Sequence, residues 1–174
     1  MVVSKLMDST ASHAAFALVI EKNKGILYKI ANTYCQSLDD RNDLIQEILI
    51  QLWRAFDKYD DKFKISTWMY RISLNVAISF YRKGSKQKDE MPLNNDVVLD
   101  IRDETATGEQ EENVRQLYEF IGNLNELNKA VMLLYLENET YQDIADALGM
   151  TETNVATKIS RIKKKLSNQF TNKE

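Results

Sequence analysis

The chain has 174 residues, with 23 Lys+Arg against 26 Asp+Glu for a formal charge of −3, and is 28% charged and 44% apolar. It is too apolar for a disordered acidic tail and too charged for a membrane protein. The run Ala14–Ile20 falls far short of the ~20 apolar residues that span a bilayer, and no basic start or small-residue cleavage site frames it as a signal peptide. One cysteine, Cys35, excludes an internal disulfide, and five Gly with one Pro exclude collagen-like chains, turn-rich sandwiches and glycine-loop nucleotide binders. The expectation is a soluble, all-α, intracellular protein.

The net charge conceals a strong segregation. Residues 62–88 hold seven basic side chains and no acid, residues 89–112 carry −8, and residues 151–174 return to +4. Two basic blocks divided by an acidic one suit two polyanion-binding surfaces, although lysine-rich helix faces are ordinarily just solvated.

Helical periodicity is strong on both sides of the middle. Phe16, Ile20, Leu27, Ile30, Ala31 and Tyr34 share one face of a first helix. Asp39 or Asp40 is placed to cap a second, which carries Leu44, Ile48, Leu52 and Phe56 beside Ile45, Leu49 and Trp53. Ser66 or Thr67 is expected to cap a third, with Ile65, Met69, Ile72, Val76 and Phe80 toward the core. Three complementary stripes predict a small bundle over residues 11–83.

The pattern stops over residues 84–111, which contain Pro92, Asn94-Asn95 and the acid run, and read as a flexible, self-repelling linker. It resumes with Val114, Leu117, Tyr118 and Ile121, then Leu124, Leu127, Val131, Leu134 and Tyr135, in a second domain over 112–170. Thr140-Tyr141-Gln142-Asp143 forms a capping box that opens a short helix through Ile144, Ala145 and Leu148; Gly149 stops it. Thr151 caps a last helix with Val155, Ile159, Ile162 and Leu166 on one stripe. The predicted architecture is two small helical domains joined by an acidic linker, the second ending in a helix-turn-helix.

A helix-turn-helix places its second helix in the DNA major groove. Away from its apolar stripe the last helix presents Thr153, Asn154, Thr157, Ser160, Arg161 and Lys164. Short hydroxyls and amides near a helix start reach base edges, and an arginine takes guanine or phosphate. The third helix gathers Trp68, Arg71, Asn75, Ser79 and Arg82 on one side. That mixture suits single-stranded nucleic acid, where cations track the backbone and aromatics or amides receive unstacked bases. Trp68 taken alone reads better as a core-edge packer. On the second helix Asp43, Gln46, Glu47 and Gln51 form a polar strip, by default solvated. His13 and Cys35 have no companions at metal-ligand or catalytic spacing, and no nucleophile, paired-carboxylate or glycine-loop motif is present, so catalysis and cofactors are not expected.

Asp43-Leu-Ile-Gln-Glu47, Leu52-Trp53-Arg54-Ala55-Phe56, then Phe63-x-x-Ser66-Thr67-Trp68-x-Tyr70-Arg71-Ile72-x-x-Asn75 and Arg82-Lys83 together resemble domain two of the bacterial extracytoplasmic-function (ECF) sigma factors. The stretch from Leu124 through Thr140-Tyr141-x-Asp143-Ile144-Ala145-x-x-Leu148-Gly149 to Lys158-Ile159-x-Arg161 and Leu166 resembles domain four of the same family. The resemblance implies a cytoplasmic, non-enzymatic transcription initiation factor, monomeric when unpartnered and not inserted in a membrane. It implies core RNA polymerase and promoter DNA as partners, with an anti-sigma factor a further candidate. By similarity Asp43, Leu44, Gln46 and Glu47 dock on polymerase. Trp68, Arg71, Asn75, Arg82 and Lys83 meet the melted non-template strand of the −10 element, and Thr153, Asn154, Thr157, Lys158, Arg161 and Lys164 read the −35 duplex. The acidic linker is expected to mimic nucleic acid and to compete with DNA for the basic blocks.

Three departures stand out. Asn125 replaces the family's usual proline, Asn138-Glu139 its Glu-Gly, and Ala156 a lysine whose loss removes one phosphate contact. Two other classes remain open on the residues alone: a stand-alone helix-turn-helix regulator and a helical protein-binding adaptor.

Overall fold

The computed structural model describes residues 2–85 and 108–171, with side chains over 12–84 and 112–169. They form seven helices: α1 (Val2–Tyr34), α2 (Leu38–Phe56), α3 (Ile65–Ser85), α4 (Gly108–Gly122), α5 (Glu126–Leu136), α6 (Tyr141–Leu148) and α7 (Glu152–Thr171). Helices α1–α3 pack as a bundle, and α4–α7 form a second unit built on α5, α6 and α7. Most of the expected linker lies outside the described residues. Its last residues belong to α4, which begins at Gly108.

The second helix buries the expected row: Leu44, Ile48 and Leu52 are all fully enclosed, each contributing roughly 1.5–3 kcal/mol on transfer from water. The cap of α2 is Ser37, not Asp39 or Asp40. Its side chain accepts the Asp40 N–H at 3.0 Å, and the two aspartates instead occupy the first turn, where the dipole favours them. Neither Ser66 nor Thr67 caps α3, because the helix already begins at Ile65, and the Trp68 N–H reaches the Lys64 carbonyl at 3.1 Å.

In the second unit the Thr140 hydroxyl accepts the Asp143 N–H at 3.1 Å and lies 2.7 Å from its carboxylate, so the side chains of the box pair with each other. Gly149 takes φ 66° as the C-cap of α6, a conformation that glycine enters without a Cβ penalty. Thr151 accepts the Asn154 N–H at 3.2 Å. Two of the family departures have local explanations. Asn125 is the N-cap of α5, accepting the Asn128 N–H at 2.9 Å, and Asn138 holds φ 58°, which asparagine tolerates better than most residues.

The two units are packed on each other. One buried cluster runs from Leu27, Ile30 and Leu44 through Tyr70, Leu74 and Ala77 to Leu134, Ile144 and Ile159. A smaller one, with Phe120, Ile121, Met132 and Ile162, fixes α4. Helix α3 is the shared wall, touching α1 and α2 on one side and α5 and α6 on the other.

Candidate nucleic-acid interface

At 3.6 residues per turn, α3 divides into three faces. The expected stripe Ile65, Met69, Ile72, Val76 and Phe80 packs into its own bundle. Roughly 140° round the helix runs a second stripe, Thr67, Tyr70, Leu74, Ala77 and Tyr81. Thr67 and Tyr70 are buried, and Leu74 and Ala77 are fully enclosed. The contacts of this stripe identify what it faces. The Thr67 hydroxyl donates to Glu139 at 3.3 Å, Tyr70 lies beside Glu137, and the Tyr81 ring sits 5.1 Å under the Lys129 ammonium.

The remaining arc of α3 presents Arg71, Asn75, Ser79, Arg82 and Lys83 to solvent, with Trp68 half-buried at its head. Trp68 packs against Tyr59 at 5.2 Å and Phe56 at 6.4 Å, within an aromatic group that continues through Phe16 and Trp53. The indole is therefore partly structural, and its half-burial leaves the rest of it open to solvent. Arg82 is exposed but engaged, its Nε lying 3.3 Å from Glu126 Oε1.

On α7 the outer face is open: Thr153, Asn154, Thr157, Ser160, Arg161 and Lys164 are all exposed. The Thr157 hydroxyl donates to the Thr153 carbonyl at 2.9 Å, leaving its lone pairs as its outward chemistry. Lys158 stands apart from this set, half-buried with Nζ 3.4 Å from Asn128 Oδ1. Lys163 is drawn onto α5, its ammonium 4.5 Å from the centre of the Tyr135 ring. Two of the four cations on residues 158–164 are thus held by α5, while Arg161 and Lys164 project from α7.

Helix α2 exposes Asp43, Gln46 and Glu47, with Glu47 accepting from Gln51 at 2.9 Å. Leu44 does not belong to that surface. It is fully buried in the i,i+4 row with Ile48 and Leu52, and supports the strip from beneath.

The seam between the units holds polar groups that the sequence did not mark as an interface. Tyr34 donates its hydroxyl to the Glu126 carbonyl at 2.6 Å, and Lys29 pairs with Glu137. Lys129 is only 5% exposed, with its ammonium over the rings of Tyr34 and Tyr81 at 5.7 and 5.1 Å. Burial lowers the pKa of Lys129, against the opposing pull of Glu126. Burial raises the phenols of Tyr34 and Tyr70, reinforced by Glu126 and Glu137 respectively. The carboxylate of Glu126 is held below its ordinary range by its own backbone N–H, then by Arg82. The only sequence signal for this seam was the second small-and-apolar stripe on α3. Among the described residues no cluster of three His, Cys, Asp or Glu is placed to hold a metal, and no helix is long and apolar enough to cross a membrane.

Comparison with known proteins adds two family matches in register with these units: Sigma-70 region 2 over residues 19–87 and Sigma-70 region 4 over residues 114–166. The chain is 29% identical over 167 residues to the ECF RNA polymerase sigma-E factor of Haemophilus influenzae, covering 90% of this chain and 87% of that one. It is 26% identical over 148 residues to the ECF RNA polymerase sigma factor SigX of Bacillus subtilis, covering 82% and 76%. In fold it is similar to RpoE of Bartonella quintana, solved in complex with the anti-sigma factor NepR (TM-score 0.69, 18% identity, covering 91% of this chain and 96% of that one). It is likewise similar to CnrH in complex with the cytosolic domain of CnrY (TM-score 0.65, 19% identity, 97% of each chain).

Proposed function

Since this chain belongs to the sigma-70 family in its two-domain ECF form and is a transcription initiation factor, we propose how its surfaces divide that work. It acts in the cytoplasm as a stoichiometric subunit of polymerase rather than as an enzyme. The exposed strip Asp43, Gln46 and Glu47 on α2 docks on core RNA polymerase. The arc of α3 with Trp68, Arg71, Asn75, Arg82 and Lys83 receives the melted non-template strand of the −10 element. The outer face of α7, with Thr153, Asn154, Thr157, Arg161 and Lys164, reads the −35 element as duplex, and Lys158 adds a phosphate contact if it leaves Asn128. Domain two spans residues 11–83, domain four 112–170, and the acidic segment between them lies in the nucleic-acid channel of polymerase, competing with DNA while the factor is free.

The observation that carries this reading is the pairing of two exposed polar-basic helix faces of different character on one chain. One combines guanidiniums, an amide and an indole, as single strands require. The other begins with hydroxyls and an amide, as a major groove requires. A stand-alone regulator would leave the α3 arc without a role. Both structural neighbours are complexes with a second protein, which supports an anti-sigma factor among the partners here.

The test is co-migration of the purified chain with bacterial core polymerase on size exclusion, without DNA. A stoichiometric complex is expected, and its absence with cognate core would return the chain to the stand-alone regulator. Asp43→Arg, which reverses charge on an exposed residue, should abolish that complex while leaving the fold intact; unimpaired assembly would remove α2 from the interface. Arg161→Ala should cost about 1–3 kcal/mol on a duplex selected by the wild type if it reads guanine. If it holds a phosphate, the salt slope should instead fall by about 0.9. A silent substitution would exclude α7 from DNA recognition.

A further inference from the structure

We infer that the first turn of α5 is a clasp that keeps the free factor closed and withholds Arg82 from DNA. The inference rests on the assignment of the α3 arc to the −10 strand.

Glu126 and Lys129 stand three residues apart at the start of α5, a turn fixed by the Asn125 cap. Together they grip the C-terminal ends of two helices of the other unit. The Glu126 backbone carbonyl accepts the Tyr34 hydroxyl of α1, and its carboxylate engages Arg82 of α3. The Lys129 ammonium lies between the rings of Tyr34 and Tyr81, which themselves meet edge-on at 6.4 Å. A carboxylate on the Arg82 Nε–H takes one of the guanidinium's five donors and offsets the charge that a DNA phosphate would use. The clasp and the strand therefore compete for one group.

Geometry makes the closed form incompatible with simultaneous use of both DNA faces. Elements centred at −35 and −10 are about 85 Å apart at 3.4 Å per base pair. Helix α3 packs on α6, and α6 on α7, so at 8–10 Å between neighbouring axes the two faces lie within roughly 20 Å of each other, before the lengths of the helices are added. Promoter engagement must part the seam, and the clasp sets part of the cost of parting it. Its contact with Arg82 is weak, since the Arg82 side chain is 64% exposed. It therefore tunes an opening equilibrium whose main resistance is the apolar stripe behind it.

Cys35 supplies a native reporter. It follows Tyr34, is 6% exposed, and belongs to the buried cluster that runs across the seam. Its rate of reaction with an aromatic disulfide reagent, measured on the full chain, should follow opening. Affinity for a fluorescent single-stranded DNA pool of mixed sequence reports Arg82. Glu126→Gln should raise both about two- to five-fold at low salt, the range that an exposed ion pair spans. Lys129→Glu, which buries an anion against the rings, should raise the thiol rate about tenfold or more. Glu119→Gln, the same charge change on an exposed residue of α4, should move neither. Adding Arg82→Gln to Glu126→Gln should erase the gain in DNA affinity; a gain that survives would show that another group was freed and overturn the proposal. Unchanged thiol rates in Glu126→Gln and Lys129→Glu would also overturn it, while a loss of affinity in Arg82→Gln alone would leave the −10 assignment standing. A faster thiol with unchanged DNA affinity would overturn the withholding of Arg82, and the Arg82→Gln arm would then decide the −10 assignment separately.

Discussion

Leu74→Ala distinguishes a chain whose two units share one core from one whose units are independent. Relative to the stripe by which α3 packs on its own bundle, Leu74 lies about 160° round the helix. Were the units independent, the α5 and α6 cover of that position would be absent, and truncation would cost markedly less than for a fully enclosed leucine. In the packed chain Leu74 is 0% exposed, enclosed with the α5 and α6 residues of the common core. Truncating a leucine so enclosed costs about 2.7–5 kcal/mol, depending on how far the seam relaxes into the cavity. For a chain of this size each kcal/mol moves Tm by about 2–4 °C. The expected fall is thus roughly 5–20 °C in a thermal melt followed by circular dichroism, with a matching loss in urea Cm. Leu52→Ala, fully buried inside the first bundle, is the reference that must destabilise under either arrangement. A wild-type-like melt for Leu74→Ala beside a weakened Leu52→Ala would refute the shared core.

Two further substitutions probe local chemistry. Ser73 is fully buried on α3 and its hydroxyl has no hydrogen-bond partner, so Ser73→Ala should stabilise the chain by about 1 kcal/mol or more, through relief of the unpaired group and better helix propensity. A loss of stability in urea would show the hydroxyl to be satisfied. Ser37→Ala should cost about 1 kcal/mol by removing the cap of α2. Asp39→Ala should cost less, roughly 0.3–1 kcal/mol at low salt and less at high salt, because it acts only through the helix dipole. A reversed order in urea Cm would restore the aspartate as the cap.

Several of these features were legible in the linear sequence because they depend on local chemistry and period. The Leu44–Ile48–Leu52 row, the Thr140 box, the Gly149 stop and the Thr151 cap each link successive residues no more than four positions apart, where spacing alone fixes who can meet whom. The exposed faces of α3 and α7 were legible for the same reason, as what remained once an apolar stripe was subtracted. Cap choices failed where two good candidates stood side by side: Ser37 precedes Asp39 and Asp40, and the position at which α3 starts is set by its packing. Leu44 was assigned to a docking surface by its neighbours in a motif, whereas its own period placed it in the core.

The seam was decided only by tertiary structure. The stripe from Thr67 to Tyr81 mixes hydroxyls, rings and alanine, a composition equally at home against water or against another helix. Its partners, Lys129, Glu137 and Glu139, lie 48–72 positions beyond the residues they meet and are charged, so nothing in their own stretch marks them as buried or half-buried. A lysine becomes a core residue here because two tyrosines from separate helices are brought around it, a coincidence in space that no periodicity along the chain encodes. The sequence by itself therefore determined the helices, their order and the two exposed polar-basic faces. Packing of the units decided which of those groups is free, because burial and pairing across the seam depend on distances between residues that are remote along the chain.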